Sequence, residues 1–133
     1  MIVLDTHTLI WLANDLPKLG RTARRHIEKA TPRGELTISS ISYWELAMLV
    51  DAQRIRLPVE LTQLRTWAKA AGVNEIPVDG DIAITGGRLT GLHGDPADRL
   101  IVATALCRHA VLLTADQNLL AMSSGPKRLD AQS

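Results

Sequence analysis

The order of apolar and polar positions along the chain predicts alternating strands and helices. Short aliphatic and β-branched runs predict strands at 2–4, 36–39, 75–78 and 111–114. Apolar residues at helical spacing predict helices at 6–14, 21–30, 42–53, 61–71, 81–88, 97–109 and 117–122. This alternation is typical of an α/β fold with three α/β/α layers, in which helices cover both faces of a central, mostly parallel sheet.

The segments between these elements are typical of loops. Segment 90–95 predicts a loop because Gly91 and Gly94 interrupt any helix. The residues from Ser123 onward are polar and show no clear pattern, and no strand is assigned at Arg128 and Leu129. A length of 133 residues with 46% apolar residues predicts one domain spanning 1–133.

Four acidic residues lie near predicted helix starts, and three of these starts directly follow a strand. Asp5 follows the first strand, Glu45 opens the helix after the second, Asp98 opens the helix at 97–109, and Asp116 follows the fourth strand. In an open parallel sheet the strand ends that lead into helices lie along one edge, where ligands bind. The four side chains are therefore expected to converge.

Helix capping is the simpler explanation for each acid taken alone. Aspartate at a helix start accepts hydrogen bonds from free backbone N–H groups and is favoured by the helix dipole. Ser42 and Glu45 have the spacing of a capping box. Asp95 directly before Pro96 has the pattern of an N-cap, so a structural role is favoured over a second-shell or substrate-binding role in the pocket, and the residues alone leave the choice between Asp95 and Asp98 open.

Capping does not explain why several carboxylates should collect at one edge, where their repulsion would raise their pKa values. A divalent cation resolves the conflict, and Mg²⁺ prefers oxygen ligands and joins carboxylates to substrate phosphates. The single cysteine, Cys107, excludes a disulfide within the chain and a cysteine-rich zinc site. The implied chemistry is hydrolysis of a phosphodiester bond by activated water.

The charge and the N-terminal pattern narrow the class of protein further. A net charge of +1 is too low for a general nucleic-acid coat protein, but an acidic pocket and a basic rim can cancel in a nuclease. The start of the chain has no basic segment followed by a long apolar stretch, so neither a signal peptide nor a membrane span is expected. We expect a cytoplasmic location without membrane association.

Four segments together resemble the PIN-domain ribonucleases, and within them the VapC-type toxins of type II toxin–antitoxin pairs. These segments are M-I-V-L-D-T-H-T-L-I-W-L at the start, I-S-S-I-S-Y-W-E-L-A-M-L around Glu45, H-G-D-P-A-D-R-L-I-V-A-T-A from His93, and L-L-T-A-D-Q from Leu112. No single segment is decisive, but their order and spacing are specific. The resemblance covers residues 1 to about 122.

The resemblance implies a metal-dependent endoribonuclease that binds Mg²⁺ or Mn²⁺. It implies that Asp5 and Asp98 are the principal metal ligands and that Glu45 and Asp116 complete the catalytic pocket, directly or through bound water. Thr114 is similar to a hydroxyl residue that orients a ligating carboxylate, although an ordinary strand-end threonine fits equally well. A VapB-type antitoxin and a homodimer are also implied, with RNA as the substrate.

Several other residues have two interpretations. Arg99 fits a phosphate or pocket-carboxylate contact, or a surface salt bridge. His7 and His93 lie near the predicted pocket and could carry protons, but a structural role is favoured for both. A basic stretch on one predicted helix could guide RNA or be merely solvated, and it consists of Arg21, Arg24, Arg25 and Lys29. The tryptophans are assigned to the core, and they are Trp11, Trp44 and Trp67.

Apolar side chains on the early helices fit two different roles. Trp11, Leu12, Trp44, Met48 and Leu49 could form a surface for the antitoxin or a second copy of the chain, or be buried within the monomer. The pattern of the sequence does not separate these roles.

Three other functions compete with the nuclease. A receiver-like Mg²⁺-binding signalling module would need adjacent acids after the first strand, whereas Leu4 precedes Asp5. A haloacid-dehalogenase-like phosphatase would need a second aspartate at the position of His7. A catalytically inactive PIN-fold binding protein is disfavoured by the intact set of acids.

Overall fold

The computed structural model describes residues 1–92 and 94–133. His93, considered above as a proton carrier, lies outside the described residues. Within them the chain forms five strands, β1 Ile2–Leu4, β2 Leu36–Ser39, β3 Asn74–Ile76, β4 Val111–Thr114 and β5 Arg128–Asp130. The helices are α1 Thr6–Ala13, α2 Arg21–Ala30, α3 Ile41–Asp51, α4 Leu61–Ala70, α5 Gly80–Arg88, α6 Pro96–Cys107 and α7 Gln117–Leu120, with a 3₁₀ turn at Thr31–Arg33.

The strands form one parallel sheet in the order β3-β2-β1-β4-β5. Val3 in the central strand pairs with Thr37 of β2 on one side and with Leu112 of β4 on the other. The chain therefore builds outward from β1 in one direction and then crosses over to build outward in the other. Such a switch point leaves a crevice at the carboxyl ends of the two strands that flank it, here β1 and β4.

Helices cover both faces of this sheet. Successive residues of a strand point to opposite faces. Leu4 packs with Leu9 and Leu46 in one apolar cluster, whereas Val3 packs with Ile101 of α6 in another. The predicted three-layer α/β/α architecture is confirmed, and the sheet is wholly parallel among the described strands.

The main departures from the sequence prediction lie at the two edges of the sheet. β5 was not assigned, because three residues carry little pattern and their pairing with β4 is distant in sequence. The Arg128 guanidinium supports this strand by donating to the carbonyl oxygens of Met122, Ser124 and Pro126. At the other edge a strand was predicted at 75–78, whereas β3 spans Asn74–Ile76. It ends before Pro77, which has no backbone N–H to donate to a neighbouring strand.

No helix in the part of the chain that the structure describes is long and apolar enough to cross a membrane.

Leu46 fixes the position of α3, the helix that carries Glu45. The side chain is fully buried, while Met48 on the same helix is 52% exposed. Leu46→Ala should lower the free energy of unfolding by about 2–5 kcal/mol through lost burial and a residual cavity. Met48→Ala should change it by less than about 0.5 kcal/mol. Urea unfolding measures both values, and equal effects would contradict the assignment of Leu46 to the core.

Candidate active site

Asp5 lies at the carboxyl end of the central strand and is the N-cap of α1. Its Oδ1 accepts a hydrogen bond from the Thr6 backbone N–H (2.8 Å), and its Oδ2 accepts one from the Thr114 hydroxyl (2.6 Å). The residue is only 7% exposed. Burial raises the pKa of Asp5, while the hydrogen bonds from Thr114 and Thr6 act in the opposite direction. Asp5 is thus a buried carboxylate in a fixed orientation.

Thr114 connects the ends of the two central strands. Its hydroxyl donates to Asp5 and accepts a hydrogen bond from the Asp116 backbone N–H (3.0 Å). The threonine is fully buried, so the position of its hydroxyl is fixed. This geometry is the one expected of a residue that orients a carboxylate rather than of an ordinary strand-end threonine.

Glu45 reaches the site from α3, but the predicted capping box is wrong. The helix begins at Ile41, so Glu45 lies in its second turn, too far from the N-cap residue Ser40 to form a capping box with it. Ser42 is buried and accepts a hydrogen bond from the Thr6 hydroxyl (2.9 Å). The Glu45 carboxylate is half-buried, and burial raises its pKa, with Asp95 and Asp5 adding repulsion.

Asp98 and Asp95 approach from the start of α6. Carboxylate oxygens of Glu45, Asp95 and Asp98 lie within 4.8 Å of one another. Asp95 is the predicted N-cap, since its Oδ1 accepts from the backbone N–H of Ala97 (2.9 Å) and, more weakly, from that of Asp98 (3.5 Å). The structural interpretation of Asp95 was incomplete, because the same side chain also belongs to the acidic group.

Asp98 shows the strongest electrostatic effect of this arrangement. Its pKa is raised to about 7, first by burial and then by repulsion from Asp5, Asp95, Asp116 and Glu45. The other four acids at this edge of the sheet therefore all act on Asp98.

Asp116 lies on the far side of Asp5. It is the N-cap of α7, and its Oδ1 accepts from the backbone N–H groups of Asn118 and Leu119. Asp116 and Asp5 line a cavity of about 330 Å³, whose remaining walls are formed by His7, Trp11, Ala115 and Gln132. Gln132 was missed by the sequence analysis because the tail carries no periodic pattern, and only the pairing of β5 brings it here.

Among the described residues, Arg99 forms neither the contact with a pocket carboxylate nor the surface salt bridge considered for it. Its guanidinium donates to the carbonyl oxygens of four residues, and it forms no ion pair with any described acid. These four residues are Gly86, Gly87, Leu89 and Leu92. Arg99 therefore fastens the end of α5 and the following loop to the helix that carries Asp98.

Other predicted residues are only partly where they were expected. Arg24 is not a free cation of the basic stretch, because it pairs with Asp15 (2.7 Å) and donates to the carbonyl oxygens of Leu19 and Leu16. Trp11 is half-buried against the core, but the assignment of the other tryptophans to the core is wrong, since Trp44 is 46% and Trp67 is 38% exposed.

The residues of the site suit a divalent cation. Every donor is a carboxylate oxygen, and in the described part of the chain no Lys or Arg forms an ion pair with Asp5, Glu45, Asp95, Asp98 or Asp116. Half-buried acids that repel one another without a cationic partner are destabilising, and a hard cation relieves that repulsion. The arrangement can hold a divalent metal ion.

Comparison with known proteins agrees with this architecture. The PIN domain family model matches residues 2–124. Ribonuclease VapC22 of Mycobacterium tuberculosis is 34% identical over 121 residues, which cover 89% of this chain and 88% of that protein.

Solved structures show the same fold along nearly the whole chain. The DNA-bound VapBC complex from Salmonella typhimurium matches with a TM-score of 0.68 at 21% identity, covering 98% of this chain and 97% of that chain. A toxin–antitoxin complex from Klebsiella pneumoniae matches with a TM-score of 0.64 at 25% identity, covering 98% of both chains. The match to the family model and the 34% identical relative show that the chain belongs to the PIN domain family and, within it, to the VapC ribonucleases.

Proposed function

We propose that this chain is a metal-dependent endoribonuclease that acts as the toxin of a VapBC-type toxin–antitoxin pair. The observation that carries the proposal is the approach of the Glu45, Asp95 and Asp98 carboxylates within 4.8 Å at the switch point of the sheet. The relative at 34% identity is itself named a ribonuclease, which supports the same activity here.

In this proposal Asp5 and Asp98 are the principal ligands of Mg²⁺ or Mn²⁺. Glu45 adjoins Asp98, and Asp95 adds the oxygen that capping leaves free, Oδ2. A metal ion bound here would activate water and neutralise charge on the phosphodiester. Asp116 completes the negative pocket beside Asp5.

The chain's own groups supply the orientation. Thr114 and the Thr6 backbone N–H hold the two oxygens of Asp5 on opposite sides, so its carboxylate cannot rotate without losing a hydrogen bond. Arg99 holds the loop before α6, and the position of Asp95 and Asp98 depends on that loop. Fixed ligands cost little reorganisation when substrate binds.

The proposal includes a protein partner and a second copy of the chain. The solved relatives include a toxin–antitoxin complex and DNA-bound VapBC complexes, which supports a VapB-type antitoxin for this chain. Trp44 and Met48 are exposed one turn apart on α3 and suit an apolar protein interface. We place the protein in the cytoplasm as a single PIN domain over 1–133.

The competing functions gain no support. Neither the receiver-like module nor the phosphatase accounts for the match to the PIN domain over 2–124. An inactive PIN-fold protein would not need the acidic set, which is complete here.

Cleavage of a mixed single-stranded RNA pool tests the activity. Protein purified without an antitoxin should cut RNA with Mg²⁺ or Mn²⁺ and should lose this activity with excess chelator. Asp98→Asn should lower the rate at least about a hundredfold, because it removes charge where the metal and the transition state need it.

Asp81→Asn is the matched control. Asp81 lies in the first turn of α5, and Asp98 lies in the first turn of α6. Unlike the half-buried Asp98, Asp81 is exposed and lies outside the acidic group. The cleavage rate of Asp81→Asn should stay within about twofold of the parent's rate, as is usual for exposed positions without special contacts. Cleavage that survives the chelator, or that is equally lost in both variants, would refute the metal-dependent site.

Metal affinity should depend on pH through Asp98. The raised pKa of about 7 means that this carboxyl keeps its proton up to neutral pH in the metal-free protein. Below about pH 7 the metal must displace this proton, so affinity for Mn²⁺ should rise about tenfold per pH unit and level off above that value. Isothermal titration calorimetry in buffers of different ionisation enthalpy measures the released proton, which Asp98→Asn should abolish. A flat pH profile would contradict the prediction.

Thr114 should act through Asp5. Thr114→Val keeps the shape of the side chain but removes the hydroxyl that donates to the carboxylate. We expect metal affinity to fall by about tenfold or more, with Thr114→Ser restoring most of it. If valine and serine give the same metal affinity, the hydroxyl does not orient Asp5.

A further inference from the structure

The wall of the cavity beside Asp5 includes three side chains that the proposed metal site does not use, those of His7, Trp11 and Gln132. They line the cavity together with the acids Asp5 and Asp116. The volume of about 330 Å³ is at the lower end of the range of small-ligand pockets. An aromatic ring, an imidazole and an amide therefore lie next to the predicted site of cleavage.

Trp11 gives this wall a fixed aromatic surface. It is half-buried on α1 and packs against the main apolar cluster, so its ring is held in place. The exposed Lys18 lies over the ring, with Nζ at a cation–π distance of 5.8 Å from the ring centroid. Flat aromatic rings bind unpaired bases by stacking, and a neighbouring lysine suits the phosphate of the same nucleotide.

Gln132 gives the wall an exposed amide on an anchored backbone. Its N–H donates to Asp130 Oδ1 (2.8 Å), and the preceding residue, Ala131, is buried and donates to the Thr114 carbonyl oxygen (2.9 Å). Among the described residues the side-chain amide makes no hydrogen bond. It is therefore free to donate to and accept from a ligand.

The charge of the cavity decides which part of a nucleotide fits. The Asp116 carboxylate, which is not a principal metal ligand in the proposal, repels a phosphate group in the cavity itself but can accept a hydrogen bond from an N–H donor of a neutral base. The phosphate is better placed outside, near the exposed Lys18.

We propose that Trp11, His7 and Gln132 form a subsite for one unpaired base of single-stranded RNA, next to the bond that is cut. The inference rests on the proposed nuclease function and concerns which RNA sequence is preferred. The acids lie within the segment matched by the family model, residues 2–124, whereas Gln132 lies beyond it. A contact from Gln132 to the base is therefore separate from the catalytic carboxylates.

Sequencing of fragment ends from a randomised RNA pool tests the subsite. The parent protein should prefer certain bases at one position flanking the cut, and Gln132→Leu should reduce that preference by about tenfold. Trp11→Leu should raise KM about tenfold, while Trp11→Phe, which keeps a stacking surface, should not. Lys18→Met should weaken binding equally for all sequences, as expected of a phosphate contact.

Gln63→Leu is the matched control, because Gln63 is an exposed glutamine that lines a different cavity. Its preference and melting temperature should equal those of the parent. If the parent and Gln132→Leu both cut the RNA pool with the same base preference, the proposed subsite is wrong and the proposed nuclease activity still stands.

Binding without cleavage separates the two proposals. In the Asp98→Asn background with Mg²⁺, affinities for oligo-A, oligo-C, oligo-G and oligo-U should differ, and Gln132→Leu should reduce the differences. This result supports the subsite even if the parent protein cuts no RNA, an outcome that would overturn only the nuclease. Equal affinities for all four oligomers, unchanged by Gln132→Leu, overturn the subsite.

Discussion

Repulsion among carboxylates at one edge of the sheet is the constraint on which the rest of this structure depends. Asp5, Glu45 and Asp116 come from three different elements and Asp95 and Asp98 from the start of α6, and burial and repulsion raise the pKa of Asp98 to about 7. An arrangement of this kind opposes folding at neutral pH unless a cation is bound. The fold must therefore supply the energy that holds these groups together.

The packing on both faces of the sheet supplies it. Leu46 anchors the helix of Glu45 in one cluster, and Ile101 anchors the helix of Asp98 in the other. Polar contacts then set the orientation, with Thr114 donating to Asp5 and Arg99 holding the loop before Asp95. Stability is thus concentrated in the core, and the functional edge has the electrostatic repulsion that makes it a destabilised site, as is common at active sites.

Most of the fold could be predicted from the sequence because the three inner strands, β2, β1 and β4, are almost wholly buried and appear as short runs rich in aliphatic residues. The convergence of Asp5, Glu45 and Asp116 also followed from the order of strands and helices, whereas the choice of Asp98 over Asp95 came from the resemblance to the PIN-domain family. What could not be predicted depends on distant contacts. The box spacing of Ser42 and Glu45 was misleading because Ser42 bonds to Thr6, 36 residues away. Gln132 reaches the pocket only through β5, whose short run has no local pattern.

The sheet order also has a consequence for how the protein is made. Translation produces β1, β2 and β3 first, and of the five acids of the site this half contains only Asp5 and Glu45. Asp98, Thr114 and Asp116 belong to the half that is synthesised later and pairs on the other side of β1. A nascent chain on the ribosome therefore lacks a complete acidic pocket until β4 has emerged and docked. The topology delays any nuclease activity while the unfinished protein is still attached to the ribosome, which is itself rich in RNA.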